Sequence, residues 1–160
     1  MKKDAHTPVH AWLVMMKAMQ AITRYVLANL EETGLGLSDF AVLEALLHKG
    51  PLPVNVIGPK VNLTPGSISV AVDRLVAKGL VSRVECSQDR RVRIVALTSR
   101  GKDVMEPIFR KHVATMEKVF AGLSSDELRQ LEEKLKHIGR QAESLLDQHI
   151  AKRRLARARA

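Results

Sequence analysis

Four arginines, Arg83, Arg90, Arg91 and Arg93, fall within eleven residues of chain around a lone thiol, Cys86. A guanidinium is a planar fork of donors that keeps its charge at any physiological pH, and the narrow minor groove of DNA offers such groups a strongly negative potential. A solvated basic edge is the plainer reading of the same residues. Cys86 lies between Arg83 and Arg90, a setting that lowers a thiol pKa, although an isolated cysteine at a strand end is ordinarily inert. As the only cysteine it can form neither an internal disulfide nor a cysteine-rich metal site, which agrees with a reducing compartment. His6, His10, His48, His137 and His149 do not make up a ligand set, so no metal is expected. No nucleophile with a neighbouring base, no glycine-rich phosphate loop and no carboxylate cluster with metal spacing is present. The pattern is not that of an enzyme, and no cofactor is expected.

Charge along the chain points the same way as the arginines. Of the net +9, residues 60–102 carry nine Lys or Arg against three acids, and residues 151–160 carry five against none; the remainder sums to −2. A basic middle and a basic tail on a near-neutral scaffold suit a polyanionic partner, because each cation that displaces a condensed counterion adds affinity. Only 3% of residues are aromatic, which leaves few platforms for stacking the bases of a single strand. No apolar run approaches the length of a membrane helix, and the amino terminus lacks the order of a signal peptide. The expectation is a cytoplasmic protein with no membrane partner, and 46% hydrophobic residues suffice for a real core.

The elements that position the arginines follow from periodicity. Val9, Trp12, Leu13, Met16, Met19, Val26, Leu27 and Leu30 recur at helical spacing, a first helix that Gly34 and Gly36 stop. Ser38 is expected to cap a second, lined by Phe40, Leu43, Leu46 and Leu47 and ended by Gly50 and Pro51. A third, over residues 54–61, should be short or distorted, since Pro59 removes a backbone donor and disfavours helical geometry at Gly58. Thr64-Pro65 starts a fourth and Gly79 stops it. Its inner face is Ile68, Ala71, Val72, Leu75 and Val76; its outer face is Gly66, Ser67, Val70, Asp73 and Arg74, with Ser69 on the edge. Small and short polar residues at an exposed amino-terminal end let a helix enter the major groove closely, although an ordinary surface helix reads similarly. Two β-prone runs, residues 80–85 and 92–97, flank the basic segment and predict a hairpin with a charged tip. A capped helix followed at once by such a hairpin has the order of a winged helix.

These residues also resemble a known family. Residues 50–101 resemble the MarR family (multiple antibiotic resistance regulators) in Asp73-Arg74-Leu75 followed by Lys78-Gly79-Leu80-Val81, then in Asp89-Arg90-Arg91 and Leu97-Thr98-Ser99-Arg100-Gly101. The resemblance implies a recognition helix over residues 64–78 and a wing over 89–93. It matches Arg91 to the arginine that relatives insert into the minor groove, and Asp73 to an acid that pairs with it in some members when DNA is absent. Where several relatives carry a polar or basic reading residue this chain has Val70, which can touch a thymine methyl. Family members that sense peroxides place their cysteine near the start of the first helix, where this chain has none.

After Thr98, a further cap, Met105, Ile108, Phe109, Met116, Val119, Phe120 and Leu123 form a stripe, with Pro107 a candidate kink. Ser124 and Glu127 form a capping box for a last helix bearing Leu128, Leu131, Leu135, Ile138, Ala142, Leu145 and Leu146. Twenty-five residues of helix run about 37 Å, too long for a small DNA-binding core to cover, and a second copy is the simplest cover. The family resemblance implies the same dimerisation through the terminal helices.

The expected fold is therefore mainly α with a small β-hairpin: a winged helix-turn-helix lobe over 37–100, dimerisation helices over 8–33 and 101–150, and a basic tail over 151–160. The expected function is a homodimeric, sequence-specific repressor on double-stranded inverted-repeat operator DNA. DNA contact is expected of Thr64, Gly66, Ser67, Ser69, Val70, Arg74, Arg83, Arg90, Arg91 and Arg93, and dimer contact of Leu128, Leu131, Leu135, Ile138 and Leu145. By the resemblance, a small phenolic or lipophilic anionic effector would bind between dimer helices and DNA-binding lobe. Trp12, Met16, Met19 and His112 are the candidates for that pocket, and core or dimer packing is their plainer role. The tail is either a phosphate contact or a frayed end.

Overall fold

The computed structural model describes residues 7–85 and 92–158. In chain order it has α1 (Pro8–Leu30), a 3-10 turn (Glu31–Thr33), α2 (Leu37–Lys49), β1 (Leu52–Pro53), α3 (Val54–Lys60), α4 (Pro65–Ala77), β2 (Val81–Glu85), β3 (Arg93–Leu97), α5 (Ser99–Phe120) and α6 (Ser125–Ala158). These residues fall into two compact units divided after Met116. The fold is mainly helical with one small antiparallel sheet, a winged helix-turn-helix arrangement.

The first unit is built around α2, α4 and the sheet. Phe40, Val42, Leu43 and Leu46 of α2 meet Ile57 of α3, Ile68, Ala71, Val72 and Leu75 of α4, Val81 and Val95 of the sheet, and Met105 of α5, all buried. Val76, expected on this face, is exposed. Helix α4 begins as its sequence dictates: the Ser67 amide donates to Thr64 Oγ1 at 3.2 Å, and Pro65 follows the cap. It ends at Gly79, whose φ of 68° lets the Leu80 amide turn back to the Leu75 carbonyl and direct the chain into β2. Helix α3 is short, seven residues with Pro59 near its end.

The strands lie in the order β1-β3-β2. The hairpin pairs Val81 with Leu97 and Glu85 with Arg93, and β1 adds Leu52 opposite Val95. This third strand was not expected from the sequence; two residues are too few to show alternation. Its Pro53 is tolerated because β1 is an edge strand.

One further expectation is corrected. Helix α2 starts at Leu37 after Gly36, with no side-chain cap, so Ser38 lies inside the first turn rather than before it. The described part of the tail is helical, with Lys152, Arg153, Arg154 and Arg157 within the 34-residue α6. The second unit carries this helix, opened by the expected capping box: the Ser124 amide donates to Glu127 Oε2 at 2.8 Å, and the Glu127 amide to Ser124 Oγ at 3.3 Å. The bonds from Ser124 hold the Glu127 carboxyl below its usual pKa. Leu128 and Leu131 are half-buried, whereas Leu135, Ile138 and Leu145 are exposed.

Candidate nucleic-acid interface

The outward face of α4 is clearest in its first two turns. Thr64, Gly66, Ser67, Ser69 and Val70 are all exposed. The Thr64 and Ser67 hydroxyls share a hydrogen bond of 2.8 Å, and Ser69 Oγ donates to the Pro65 carbonyl at 3.0 Å, leaving its lone pairs outward. Val70 is 55% exposed, an apolar side chain in a polar face that packing among the described residues does not explain. A Cβ on Gly66 would meet nothing within 4 Å, so packing does not demand glycine there. Close approach of another molecule would.

Arg74 has a partner within the chain that its spacing does not show. Helical spacing puts it on the same stripe as Ser67 and Val70, yet its guanidinium turns back onto α2. Nη2 donates to Asp39 Oδ1 at 2.6 Å and to Ser38 Oγ at 3.0 Å, while Nε donates to Asp39 Oδ1 at 3.1 Å. The hydrogen bonds and charge of Asp39 push the Arg74 pKa up.

On the hairpin, Arg83 Nη1 reaches Asp73 Oδ1 at 2.6 Å, and Arg93 Nη1 reaches Glu85 Oε1 at 2.7 Å across the strand pair. Asp73 is thus engaged by Arg83. Its expected partner Arg91 lies outside the described residues, together with Cys86, Asp89 and Arg90. Both described pairs are exposed, and such pairs contribute only about 0–1 kcal/mol, so phosphates can take these arginines at small cost.

The four candidate effector residues are not brought together within the chain. Trp12, Met16 and Met19 are exposed along α1. His112 is half-buried on α5, its ring 4.9 Å from that of Phe40 and 6.4 Å from that of Phe109. It lines a crevice of about 10 Å³ with Val26, Leu30 and Ile108, too small for a ligand. A cleft of about 420 Å³, not foreseen from the sequence, opens between α3, the start of α4 and the root of β3, with Asn55, Ser69 and Arg93 among its apolar walls. Among the described residues no three metal-ligating side chains gather. Among the described residues no helix is long and apolar enough to cross a membrane.

A helix with a polar, open amino-terminal end, set on a core and followed by a basic hairpin, defines a winged-helix protein. Known proteins narrow the class. Residues 33–92 match the profile of the MarR family. The chain is 35% identical over 128 residues to the HTH-type transcriptional regulator MhqR of Bacillus subtilis, spanning 80% of this chain and 88% of that one. Its fold superposes on AbsC, a MarR family transcriptional regulator from Streptomyces coelicolor, with a TM-score of 0.79 at 23% identity, covering 87% of this chain and 97% of AbsC. Sco3205, another MarR family regulator of that organism, in complex with DNA, superposes with a TM-score of 0.75 at 22% identity, over 81% and 83% of the two chains. This chain belongs to the MarR family, and its matched relatives are transcriptional regulators.

Proposed function

We propose that the protein is a homodimeric, sequence-specific repressor that inserts the first turns of α4 into the major groove of an inverted-repeat operator and lays the wing along the adjacent minor groove. The observation that carries this reading is the exposed set Thr64, Ser67, Ser69 and Val70 at the capped end of a helix whose opposite face is core. Two-fold symmetry requires half-sites about one helical turn apart. Selection of bound fragments from random duplex DNA tests the proposal: a palindrome with that spacing is expected, and recovery of unrelated sequences would refute it. A small phenolic or lipophilic anion is the proposed releasing ligand; a pocket that uses Trp12, Met16 and Met19 needs a second copy to cover them.

Base reading is assigned to Ser67 and Val70. Val70→Ala should relax preference at one base pair per half-site, costing about 1–3 kcal/mol against the best operator if a thymine methyl is read. Identical motifs selected by Val70→Ala and wild type would remove Val70 from the readers.

The wing is assigned to Arg91, with Arg90, Arg83 and Arg93 as backbone contacts. Arg91→Ala should weaken operator binding and reduce the slope of log affinity against log salt by about one counterion per half-site. Titrations at several salt concentrations check this. A variant with wild-type affinity and slope would transfer the role to Arg90 or Arg93.

A further inference from the structure

We propose that Asp39, on α2 and away from the reading face, is the positioning residue of the recognition helix; the inference rests on the assignment of α4 as that helix. Asp39 is 2% exposed, yet it is an acid in the first turn of an amphipathic helix. Both of its carboxylate oxygens face cations, Arg74 of α4 and Lys78 at its C-cap. Oδ1 accepts from Arg74 Nη2 at 2.6 Å and from Nε at 3.1 Å, and Oδ2 lies 3.6 Å from Lys78 Nζ. The cations are tied in turn: Lys78 Nζ donates to the Gly34 carbonyl at 2.8 Å and Arg74 Nη2 to Ser38 Oγ at 3.0 Å.

The stripe of α4 that bears Ser67, Val70 and Arg74, and that Lys78 continues at the C-cap, is therefore divided. Its first two turns are free to meet a groove, and its last turns are fastened to α2. Burial of Ile68, Ala71, Val72 and Leu75 holds the helix on the core but is non-directional, so it leaves the helix some freedom to roll and slide. A two-pronged, charge-assisted pair is directional and removes that freedom. Placed at the far end from the readers, it sets the angle at which Ser67 and Val70 present themselves.

A rival role exists for the same arginine. Arg74 is 46% exposed in its side chain and could leave Asp39 for a DNA phosphate. The two roles predict opposite results. If Arg74 binds phosphate, Asp39→Asn frees it and strengthens binding, Arg74→Met lowers the salt slope by about one counterion per half-site, and Arg74→Lys binds as wild type. If Asp39 positions the helix, Asp39→Asn weakens binding to the selected operator about tenfold while binding to random duplex changes less than twofold, and the slope stays unchanged. Arg74→Lys, which keeps the charge but loses the fork, then also lowers the operator-to-random ratio. The double variant Asp39→Asn with Arg74→Met is no worse than Arg74→Met alone.

The experiment is titration of full-length protein against operator and random duplexes across salt, at a temperature where circular dichroism shows each variant folded. Loss of stability alone would leave the operator-to-random ratio of folded protein unmoved. An unchanged ratio in Asp39→Asn and Arg74→Lys, or a reduced slope in Arg74→Met, overturns the inference while the DNA-reading proposal stands. Should Asp39→Asn not fold, Arg74→Lys decides alone. A wild-type chain that prefers no sequence over random duplex refutes the DNA-reading proposal, and this inference falls with it.

Discussion

Gly101→Ala is expected to destabilise the protein by about 2–3 kcal/mol, although the same change inside a helix ordinarily stabilises by about 0.5–1 kcal/mol. The sign reverses because of what lies against the residue. Gly101 sits in the first turn of α5, buried, where a Cβ would fall far inside the van der Waals contact distance to the Leu80 carbonyl oxygen. That oxygen cannot move aside. It belongs to backbone and accepts from the Thr98 amide at 3.1 Å. Thr98 Oγ1 also donates to the Gly79 carbonyl at 2.8 Å and accepts from the Gly101 amide at 2.9 Å. The end of α4, the root of β2 and the start of α5 thus meet in one backbone knot, and an added methyl must pry it open. Thermal unfolding followed by circular dichroism should show Tm lowered by about 4–12 °C for a chain of this size. Gly139→Ala in α6 is the control: a Cβ there meets nothing within 4 Å, and that variant should melt at or above wild type. If Gly101→Ala melts with wild type, the close approach is wrong.

That knot also marks where sequence reasoning succeeded and where it stopped. Thr64-Pro65, Thr98 and the Ser124–Glu127 box were legible because a cap depends on residues within one turn, and the structure shows each bond. The hairpin was legible because its runs are five residues each and β-prone. β1 was not, since two residues carry no period and the strand exists only because β3 offers it an edge. Asp39 was missed for a related reason. An acid in the first turn of a helix reads as a surface residue favoured by the helix dipole, and nothing local says that another helix crosses above it. The bond from Arg74 to Asp39 was hidden by the same gap: helical spacing gives the direction of Cβ, but a long side chain ends several ångströms away, where a buried carboxylate can engage it. Tail residues 152–157 carry no apolar period, which hid their place in α6, yet arginine, lysine and alanine are good helix formers.

Leu135→Asp combined with Ile138→Asp is expected to convert the protein from dimer to monomer and to weaken operator binding by about 10²–10⁴-fold. Both side chains are exposed within the single chain, at 43% and 51%, so the substitutions remove little packing and the folded unit should be nearly unaffected. Their cost is expected in the proposed dimer. Leu145, Leu146, Ile150 and Leu155 continue the exposed apolar series along α6, while Val9, Trp12, Met16 and Met19 form a separate series on α1. Rows of large exposed apolar side chains are common where a partner sits. At 34 residues, α6 is about 51 Å long, and among the described residues its large apolar side chains beyond Leu131 are exposed. Two carboxylates from each copy would be desolvated against like charge in such an interface. Sedimentation at micromolar concentration should report a monomer for the double variant and a dimer for wild type. Operator binding then follows from geometry: a monomer engages one half-site and loses the effective concentration that the first site lends the second. It also releases half the counterions, so the slope of log affinity against log salt should fall to about half. A misfolded variant would lose affinity without a defined slope, and a halved slope separates dissociation from damage. A double variant that stays dimeric and binds as wild type would remove this face of α6 from the dimer interface.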